Sequence, residues 1–324
     1  MAGSNTPKVT IGLPVYNAEA NVAEAIREFQ AQDFEDFEVV ISDNNSTDAT
    51  YDICAAYVSA DKRFRLERQT RNIGANRNFD YVLSRARGEL FMWAAAGDHR
   101  APSFVRRCAE ALAANPGAVL ATPNVRLAYP PPQASQIFAY SEDVTHPHVI
   151  RRLRWILRAG AWFAIYGLIR RDALDRTRPI TSLGPTPAPG LGPDYRVVEL
   201  ALLGPFARVP ETLFEYSMRH PEPADILRQR LDPNARFRGT MFWWWLKDFW
   251  YMSGRHGFDL VSRLKIQAEY LASARSRGSL HTEFLRYNSE FQDAARRDRQ
   301  WAKVANFFLE RCILGGVRNA LGKD

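Results

Sequence analysis

Short hydrophobic runs alternate with helical patterns along the first 121 residues, and this alternation limits the fold more than any other feature of the chain. Strands are predicted at Val9–Leu13, Phe37–Ile41, Phe64–Arg68, Leu90–Ala95 and Ala118–Ala121. Helices are predicted between them at Ala18–Gln32, Thr47–Ser59, Ala75–Ser84 and Pro102–Ala114. The first of these helices has apolar residues at the i, i+3, i+4, i+7 spacing of one helix face, namely Val22, Ala25, Ile26 and Phe29. Strands and helices in this order predict an α/β fold with right-handed crossovers and a mainly parallel sheet.

Polar residues follow the predicted strands at the points where a ligand site is expected. The segments are Pro14–Asn17, Ser42–Asn45, Arg71–Gly74 and Gly97–His99. In an open α/β sheet, ligands bind in the crevice at the carboxyl ends of parallel strands. We therefore expect these four segments to converge on one site, with polar groups of the kind that hold a nucleotide-sugar.

The two halves of the chain differ in charge. Residues 1–150 contain 14 Lys and Arg against 18 Asp and Glu, whereas residues 151–324 contain 29 against 18, for a net charge of +7. The basic second half suits anionic lipid head groups or a phosphate-bearing acceptor, and it is equally compatible with a solvated Arg-rich surface. The sequence has no recognisable nucleic-acid-binding module, so we expect no nucleic acid partner.

Targeting signals and cysteines indicate a cytoplasmic protein. Residues Met1–Lys8 have no apolar core behind a basic start, so no signal peptide is predicted. The aromatic run from Met241 to Met252 is interrupted by Lys247 and Asp248, and it is too short and too charged to span a bilayer. An odd number of scattered cysteines without a CxxC pair favours a reducing compartment; these are Cys54, Cys108 and Cys312.

Taken in order, the polar segments and their flanking strands resemble family 2 glycosyltransferases, which have the GT-A fold. The matching segments are Gly-Leu-Pro-Val-Tyr-Asn (12–17), Val-Ile-Ser-Asp-Asn-Asn-Ser-Thr-Asp (40–48), Asn-Ile-Gly-Ala-Asn-Arg-Asn (72–78) and the stretch from Arg-Gly-Glu-Leu-Phe-Met-Trp to Gly-Asp (87–98). The resemblance extends over roughly residues 8–220. It implies an inverting transfer from a nucleotide-sugar, with a divalent metal on the diphosphate.

The resemblance assigns the donor nucleotide to the first three segments. Asp43 stands where the family's acid recognises the nucleobase edge, and a carboxylate, which only accepts hydrogen bonds, can select a pyrimidine N–H. The alternative is that Asp43 caps the next helix, as Asn45 and Ser46 are expected to do. The other predicted donor-binding residues are Pro14, Tyr16, Asn17, Asn72, Gly74, Arg77 and Asn78. For Arg77, an exposed helix-surface position is the open alternative to a phosphate contact.

Asp98 is the predicted metal ligand, and Gly97 beside it is counted with the donor-binding residues. The family usually has two carboxylates here, whereas this chain reads Ala-Ala-Gly-Asp-His over 95–99 and keeps only the last acid. One carboxylate suffices where the donor diphosphate and waters supply the remaining oxygen ligands of Mn²⁺ or Mg²⁺. His220, similar in position to the family's Arg-x-His region but with different spacing, is a second candidate ligand that would favour Mn²⁺. His99 is interpreted as a surface histidine.

Asp194 lies where the family carries its catalytic base. Inversion requires a base that takes the proton of the acceptor hydroxyl on the face opposite the leaving diphosphate, which contributes on the order of 10²–10⁴ in rate. The alternative is that Asp194 is the N-cap of a helix predicted over 195–203. Trp162 and Tyr195 are predicted on the acceptor side, where an aromatic ring stacks on a sugar face; for Trp162, packing in the core is an equal alternative.

The remaining predictions concern the second half of the chain. We expect a loop near Tyr129–Pro132, a helix over Arg151–Arg158, a strand over Phe163–Arg170, a loop over Thr181–Pro193 that could move over a bound substrate, and a strand over Leu213–Met218. The predicted GT-A catalytic domain covers 1–236, with a nucleotide-sugar half at 8–125 and an acceptor half at 126–236. A helical C-terminal extension covers 237–324, and its amphipathic segments suit core packing, a homodimer or peripheral contact with the inner face of the plasma membrane.

The sequence thus predicts a metal-dependent inverting glycosyltransferase. Its donor is a uridine- or thymidine-diphosphate sugar, and its acceptor is a glycan or a lipid-linked hydroxyl in cell-surface polysaccharide or glycolipid synthesis. Two alternatives stay open: a nucleotide-sugar-binding protein without catalysis, suggested by the missing acids at 95–97, and a peripheral membrane scaffold.

Overall fold

The computed structural model describes residues 6–180, 192–218 and 249–275, and within these it leaves the side chains of 192–195 and 271–275 undescribed. Contacts divide the chain into two compact units. The first consists of Met1–Ile156 with Ala161–Phe237, and the second of Leu157–Gly160 with Arg238–Asp324.

The first part of the chain folds as alternating strands and helices. The strands are β1 (Val9–Val15), β2 (Phe37–Asp43), β3 (Phe64–Arg68), β4 (Leu90–Trp93) and β5 (His99–Arg100), and the helices are α1 (Val22–Gln30), α2 (Thr50–Ala60), α3 (Ala75–Ser84) and α4 (Phe104–Ala114). Every residue of β2 is buried, as expected for a strand covered on both faces. Helix α1 buries Val22, Ala25, Ile26 and Phe29, the four positions of its predicted apolar face.

The second part adds strands that pair mostly in the opposite direction. These elements are β6 (Leu120–Ala128), β7 (Gln136–Phe138), the 3₁₀ helix η1 (Glu142–Thr145), α5 (Val149–Ala159), the 3₁₀ helix η2 (Trp162–Tyr166), β8 (Leu168–Arg170), α6 (Arg171–Asp175), α7 (Gly192–Leu203) and β9 (Phe206–Ser217). The strand predicted over Phe163–Arg170 is wrong in its first half, which forms η2. A continuous apolar run suits a buried helical turn as well as a buried strand.

The sheet has the order β3-β2-β1-β4-β8-β6-β9-β5, with β7 beside β6. β1 is parallel to β2 and β4, β2 is parallel to β3, and β6 is parallel to β9. β8 runs antiparallel between β4 and β6, and β9 carries β5 antiparallel on its other edge. The α/β architecture with a mainly parallel sheet is confirmed. Its parallel half, β3-β2-β1-β4, directs four strand ends to one edge.

The described part of the second unit is helical. Residues 249–255 form α8, and Leu260–Arg275 forms α9. Within this unit the rings of Phe249 and Tyr270 pack at a tilt of 33° with centroids 4.5 Å apart, and the Arg263 guanidinium lies 3.9 Å from the centroid of the Trp250 ring. Over the described residues, the helices fall short of the length and hydropathy that a bilayer crossing requires.

Candidate active site

The sheet register aligns the ends of three neighbouring strands. Val15 at the end of β1 pairs with Asp43 at the end of β2, and Asp43 pairs in turn with Arg68 at the end of β3. At the ends of these strands, Asp43 therefore lies between Val15 and Arg68, with its carboxylate next to the Arg68 guanidinium. The segments that follow these strands leave the sheet at the same edge, as predicted from the strand-end pattern.

Asp43 is fully buried and bonded on two sides. Its carboxylate accepts hydrogen bonds from the backbone N–H of Ser46, and Arg68 Nε lies 3.1 Å from Asp43 Oδ2. The Arg68 guanidinium also lies 4.6 Å from the centroid of the Tyr51 ring. Arg68 and Tyr51 were not predicted from sequence. Arg68 could have been found by the same strand-end rule, because it is the last residue of β3.

The turn after β1 is fixed to the segment after β2 by reciprocal hydrogen bonds. Asn17, with φ of 47°, donates its backbone N–H to Ser46 Oγ and accepts from the backbone N–H of Thr47 at its own Oδ1, both at 3.0 Å. Asparagine tolerates this left-handed conformation better than most residues. Pro14 lies half-buried at the end of β1, and the Tyr16 side chain is 47% exposed beside it. A ring this accessible is available to a ligand.

The prediction that Asn45 and Ser46 cap the next helix is wrong. Helix α2 begins at Thr50, and Asp48 accepts the Thr50 backbone N–H at 3.0 Å. Asn45 instead has a left-handed backbone with φ of 62°, and the Ser46 hydroxyl accepts from Asn17. The segment between β2 and α2 is therefore a longer loop than the helical pattern indicated.

Two asparagines fix the loop that precedes α3. Asn44 donates from Nδ2 to Asn72 Oδ1 at 2.9 Å and accepts the backbone N–H of Ile73 at 2.8 Å. Asn72 also accepts the backbone N–H of Gly74 at 2.8 Å, and Gly74 has a φ of 85° that favours glycine. These contacts account for the Asn-x-Gly pattern. They also place the exposed residues Asn72 and Gly74 beside the end of β2.

Arg77 and Asn78 occupy opposite environments on α3. Arg77 is exposed, whereas Asn78 is buried with its amide bonded to Ser42 in both directions: Nδ2 donates to the Ser42 carbonyl at 3.0 Å and Oδ1 accepts from the Ser42 hydroxyl at 2.6 Å. Asn78 thus attaches α3 to β2. Its contacts are those of a residue that holds the site together, and a direct donor contact for it stays a prediction, as it does for Arg77.

Asp98 is buried just beyond β4 and is held by β9. Its Oδ1 accepts the backbone N–H of Ser217 at 3.2 Å, and its own backbone N–H donates to the Ala95 carbonyl at 3.3 Å. The neighbouring Gly97 lies close to Asn21, the residue that precedes α1. The antiparallel pairing of β5 with β9 therefore sets the position of the Asp98 carboxylate.

A buried cation that was not predicted lies two residues further on. Arg100 is 4% exposed, its guanidinium lies 4.7 Å from the centroid of the Phe214 ring, and its three side-chain nitrogens have no hydrogen-bond partner among the described residues. Burial lowers the pKa of Arg100, and the charge of Asp98 opposes this. The Arg100 charge thus contributes a positive potential at Asp98. A single Arg in a strand-like segment gives no signal of such burial, because its aromatic partners come from α1, α4 and β9.

A divalent cation at Asp98 would be held by the Asp98 carboxylate. Asp98 belongs to none of the described groups of three potential ligand side chains, and His220 lies outside the described residues. A hard cation often keeps several waters and is held by one or two carboxylates together with substrate phosphates, so the single carboxylate fits this type of site. The donor set is thus consistent with Mg²⁺ or Mn²⁺ bound chiefly through a diphosphate.

A different group of potential ligands lies between β5 and α1. Glu24, Glu28 and His99 bring their ligand atoms within 4.8 Å of one another. His99 Nδ1 lies 2.7 Å from Glu28 Oε1, and this hydrogen bond raises the pKa of His99. Glu28 also accepts the backbone N–H of Arg100 at 3.0 Å. We interpret the group as an ion pair that anchors β5 to α1. His99 was predicted as a surface histidine, and its side chain is 41% exposed.

Two aromatic rings, those of Trp162 and Tyr216, lie beside the segment that carries Asp98. The Trp162 ring on η2 meets the Tyr216 ring edge-on at 4.8 Å, and Tyr216 directly precedes Ser217, the partner of Asp98. Trp162 is half-buried, so part of its ring is accessible. The structure thus brings the predicted acceptor residue Trp162 to the strand that holds the predicted metal ligand. Whether it contacts a sugar stays a prediction.

The predicted base lies inside a helix. Asp194 and Tyr195 belong to α7, which begins at Gly192, so Asp194 is not the N-cap of a helix that starts at 195. Their side chains lie outside the described residues, as do Thr181 to Leu191 of the predicted substrate loop. The next two turns of α7 are buried and carry two charged side chains, Arg196 and Glu199.

Comparison with known proteins gives a family match. The profile of the family described as glycosyl transferase family 2 matches residues 10–175, about half of the chain. This span contains Asp43, Asp98 and the loop before α3. It ends before α7.

Curated relatives match over shorter stretches of the chain. The chain is 33% identical over 85 residues to GalNAc(5)-diNAcBac-PP-undecaprenol beta-1,3-glucosyltransferase of Campylobacter jejuni, which is 26% of this chain and 28% of that protein. It is 28% identical over 81 residues to glycosyltransferase GlyG of Streptococcus pneumoniae, which is 25% of this chain and 27% of that protein. The chain thus spans little more than a quarter of the length of these relatives.

Among solved structures, Staphylococcus aureus TarS (residues 1–349, in complex with UDP) superposes with a TM-score of 0.60 at 13% identity, covering 89% of this chain and 77% of that one. The same protein in complex with UDP-GlcNAc gives 0.58 at 16% identity, covering 83% and 74%. At this identity the likeness shows the fold, and it confirms the GT-A architecture predicted from the sequence.

Proposed function

Because this chain belongs to glycosyl transferase family 2, we propose that it transfers a sugar, with inversion at the anomeric carbon, from a uridine- or thymidine-diphosphate sugar to a hydroxyl group. The observation that carries this proposal is the convergence of a buried carboxylate at the end of β2, an accessible tyrosine after β1 and a second buried carboxylate after β4 on one edge of the sheet. These are Asp43, Tyr16 and Asp98.

The donor nucleotide is proposed to bind between the β1 and β2 ends. Asp43 accepts the N–H of a pyrimidine ring, and Arg68, which already pairs with Asp43, has donors for the ring carbonyls. Tyr16 and the loop bearing Asn72 and Gly74 line the base and ribose. Arg77 reaches the phosphates. The TarS structure carries UDP, which supports a pyrimidine nucleotide for a chain of the same fold.

Asp98 is proposed to hold a divalent cation on the donor diphosphate, with His220 as a second ligand. When bound, such an ion stabilises the negative charge that develops on the departing diphosphate. The chain's own part is to fix the Asp98 carboxylate, through the Ser217 N–H, in a buried position where electrostatic interactions are stronger than in water.

Asp194 is proposed to act as the general base. It takes the proton of the acceptor hydroxyl as the acceptor oxygen forms a bond to the anomeric carbon and the bond to the diphosphate oxygen breaks on the opposite face. Trp162 and Tyr195 form the acceptor side of the site, with Trp162 placed by its contact with Tyr216.

The acceptor is proposed to be a glycan or a lipid-linked sugar in cell-surface polysaccharide or glycolipid synthesis. The Campylobacter jejuni relative is named for a GalNAc(5)-diNAcBac-PP-undecaprenol acceptor, and the second half of this chain is basic. With such an acceptor, the reaction is proposed to take place at the cytoplasmic face of a membrane. The extension over 237–324 is proposed to contribute peripheral membrane contact or a homodimer interface.

The test is a panel of nucleotide-sugars incubated with the protein, with and without Mn²⁺ or Mg²⁺, with release of nucleoside diphosphate as the readout. We expect release with one uridine or thymidine donor, loss of release by at least about 10²-fold in Asp98→Ala and Asp194→Asn, and unchanged release in Asp33→Asn, which alters an exposed ion pair with Arg106. Stabilisation by UDP without any release would instead identify a non-catalytic binding protein.

A further inference from the structure

A buried charge network joins α7 to α3 and to the end of β4. Arg196 on α7 is 1% exposed, and its Nη2 lies 3.5 Å from Oδ1 of Asp80 on α3. The Arg196 guanidinium also lies 5.4 Å from the centroid of the Trp93 ring, and Trp93 Nε1 donates to the carbonyl of Phe79 at 3.0 Å. The last residue of β4, the middle of α3 and the second turn of α7 are thus connected through one guanidinium.

The network continues one turn along α7. Glu199 is fully buried; its Oε2 accepts the backbone N–H of Arg178 at 3.1 Å, and its Oε1 lies 3.7 Å from Arg178 Nε. Asp80 additionally accepts the backbone N–H of Ile180 at 2.8 Å. Two carboxylates and two guanidinium groups therefore hold α7, α3 and residues 178–180 together, and their formal charges sum to zero. They belong to Asp80, Glu199, Arg178 and Arg196.

The cost of such a network indicates that it does more than stabilise the fold. Burial lowers the pKa of Arg196 to about 10, against the opposing charges of Asp80 and Glu199. Well-packed apolar side chains often stabilise a protein as much as a buried ion pair does, so we interpret this network as one that fixes relative position and orientation. Here the elements so fixed are α3, which begins at the predicted nucleotide loop, and α7, which carries Asp194 two residues before Arg196.

We propose that Arg196 is a positioning residue for catalysis, which through its ion pair with Asp80 sets the position of the α7 segment bearing Asp194 relative to the donor side of the site. The inference rests on the proposed function for the role of Asp194. Arg196 contacts Asp80 and Trp93. Helix α3 has a separate attachment to β2 through Asn78 and Ser42, so the loss of Arg196 acts on turnover and leaves donor binding unchanged.

The test uses the full chain with Arg196→Met, Arg196→Lys and Asp80→Asn. We expect kcat for sugar transfer to fall about 10²-fold in Arg196→Met, as for a displacement of about 1 Å at a catalytic group, while KM for the donor stays within about threefold. Arg196→Lys should restore part of kcat because it keeps the charge. Asp80→Asn, which keeps an oxygen for the Ile180 N–H, should lower kcat in the same direction.

Arg170→Met is the matched control. Arg170 is a half-buried arginine whose guanidinium donates to the carbonyls of Ala118 and Leu112. Its replacement should lower the melting temperature without lowering kcat at a temperature where the protein is folded. If Arg196 had only a structural role, Arg196→Met would likewise lower the melting temperature without lowering kcat. Wild-type kcat in folded Arg196→Met would therefore overturn the proposal.

Hydrogen exchange separates this inference from the proposed function. In Arg196→Met, amides of 196–203 should exchange at least about tenfold faster than in the wild type, with β1 and β2 unchanged. If the wild type transfers no sugar with any donor, the proposed function fails, and exchange still decides whether Arg196 anchors α7. Unchanged exchange in α7 would overturn the anchoring role whether or not the enzyme is active.

Discussion

The carboxylate of Asp98 accepts a hydrogen bond from the backbone N–H of Ser217, with 3.2 Å between Oδ1 and N. This contact joins the segment after β4, which belongs to the parallel half of the sheet, to the end of β9 in the second half. The same junction pairs His99 with Glu215 and Arg100 with Phe214. An acid that follows a strand of the parallel half is therefore held by a strand of the second half.

The Asp98→Asn variant should distinguish the role of the Asp98 charge from the role of its hydrogen bond. Asn keeps an oxygen that accepts the Ser217 N–H but loses the negative charge that a cation requires. We expect Asp98→Asn to lower sugar transfer by at least about 10²-fold. It should also lower the free energy of unfolding, because the buried Arg100 loses a compensating charge. Asp98→Ala should lower the free energy of unfolding further, because it also loses the bond to Ser217. Near-normal transfer by Asp98→Asn would remove the Asp98 charge from the mechanism.

Removing the Asn44 amide should loosen the loop before α3. Asn44→Ala loses the bonds to Asn72 and Ile73, so we expect a loss of about 1–3 kcal/mol in stability and weaker binding of UDP by calorimetry. Asn115→Ala is the matched control, since Asn115 donates to the Ala111 carbonyl on an exposed helix end. Equal UDP affinity in both variants would contradict a role for this loop in nucleotide binding.

The parallel half of the sheet was predictable because its local patterns agree with its tertiary structure. Helix α3 and strand β3 have the predicted bounds. The second half was not predictable to this extent, because Pro123 and Pro210 interrupt the strand patterns of β6 and β9. Proline cannot donate to the strand ladder, and the register of β6 with β9 shifts between Pro123 and Asn124. Both strands continue past the interruption and are longer than expected.

The position of the two buried carboxylates at the strand ends could be predicted from the sequence, but the buried arginines could not. Asp43 and Asp98 follow hydrophobic runs, so their position at the sheet edge could be inferred. Arg100 is buried by rings from distant segments, and Arg196 pairs with Asp80 across more than 100 residues. Such pairs are set by how helices pack on the sheet, which no local pattern records.

Gly88, which lies just before β4, is predicted to be required for stability. A Cβ atom at Gly88 would lie 2.7 Å from the backbone nitrogen of Thr10 and 2.8 Å from the carbonyl carbon of Val9. Backbone atoms cannot yield as a flexible side chain would, so Gly88→Ala should destabilise the fold by about 1–3 kcal/mol. Gly117→Ala, where nothing lies within 4 Å, is the control. Equal melting temperatures of the two variants would contradict this close approach.

Glu38 is predicted to make stability depend on pH at the amino ends of the strands. It is buried, and its carboxylate accepts from the Thr10 hydroxyl at 2.8 Å and from the backbone N–H of Arg87 at 3.1 Å. Burial alone would raise the pKa of Glu38, but the hydrogen bonds from Arg87 and Thr10 and the charge of Arg65 lower it below 4.5. The ionised carboxylate therefore stabilises the folded state above about pH 4.5, and this contribution is lost as pH falls through the lowered pKa.

Glu38→Gln should consequently cost about 1–3 kcal/mol at pH 7, and the difference from the wild type should shrink in urea unfolding measured at successively lower pH below about 4.5. The Glu110→Gln variant is a suitable control, because Glu110 pairs with Arg106 and Arg107 on the exposed face of α4. Exposed pairs contribute little, so this variant should unfold like the wild type at both ends of the pH range. A Glu38→Gln deficit that stays constant with pH would mean that the lost packing, rather than the lost charge, destabilises the variant.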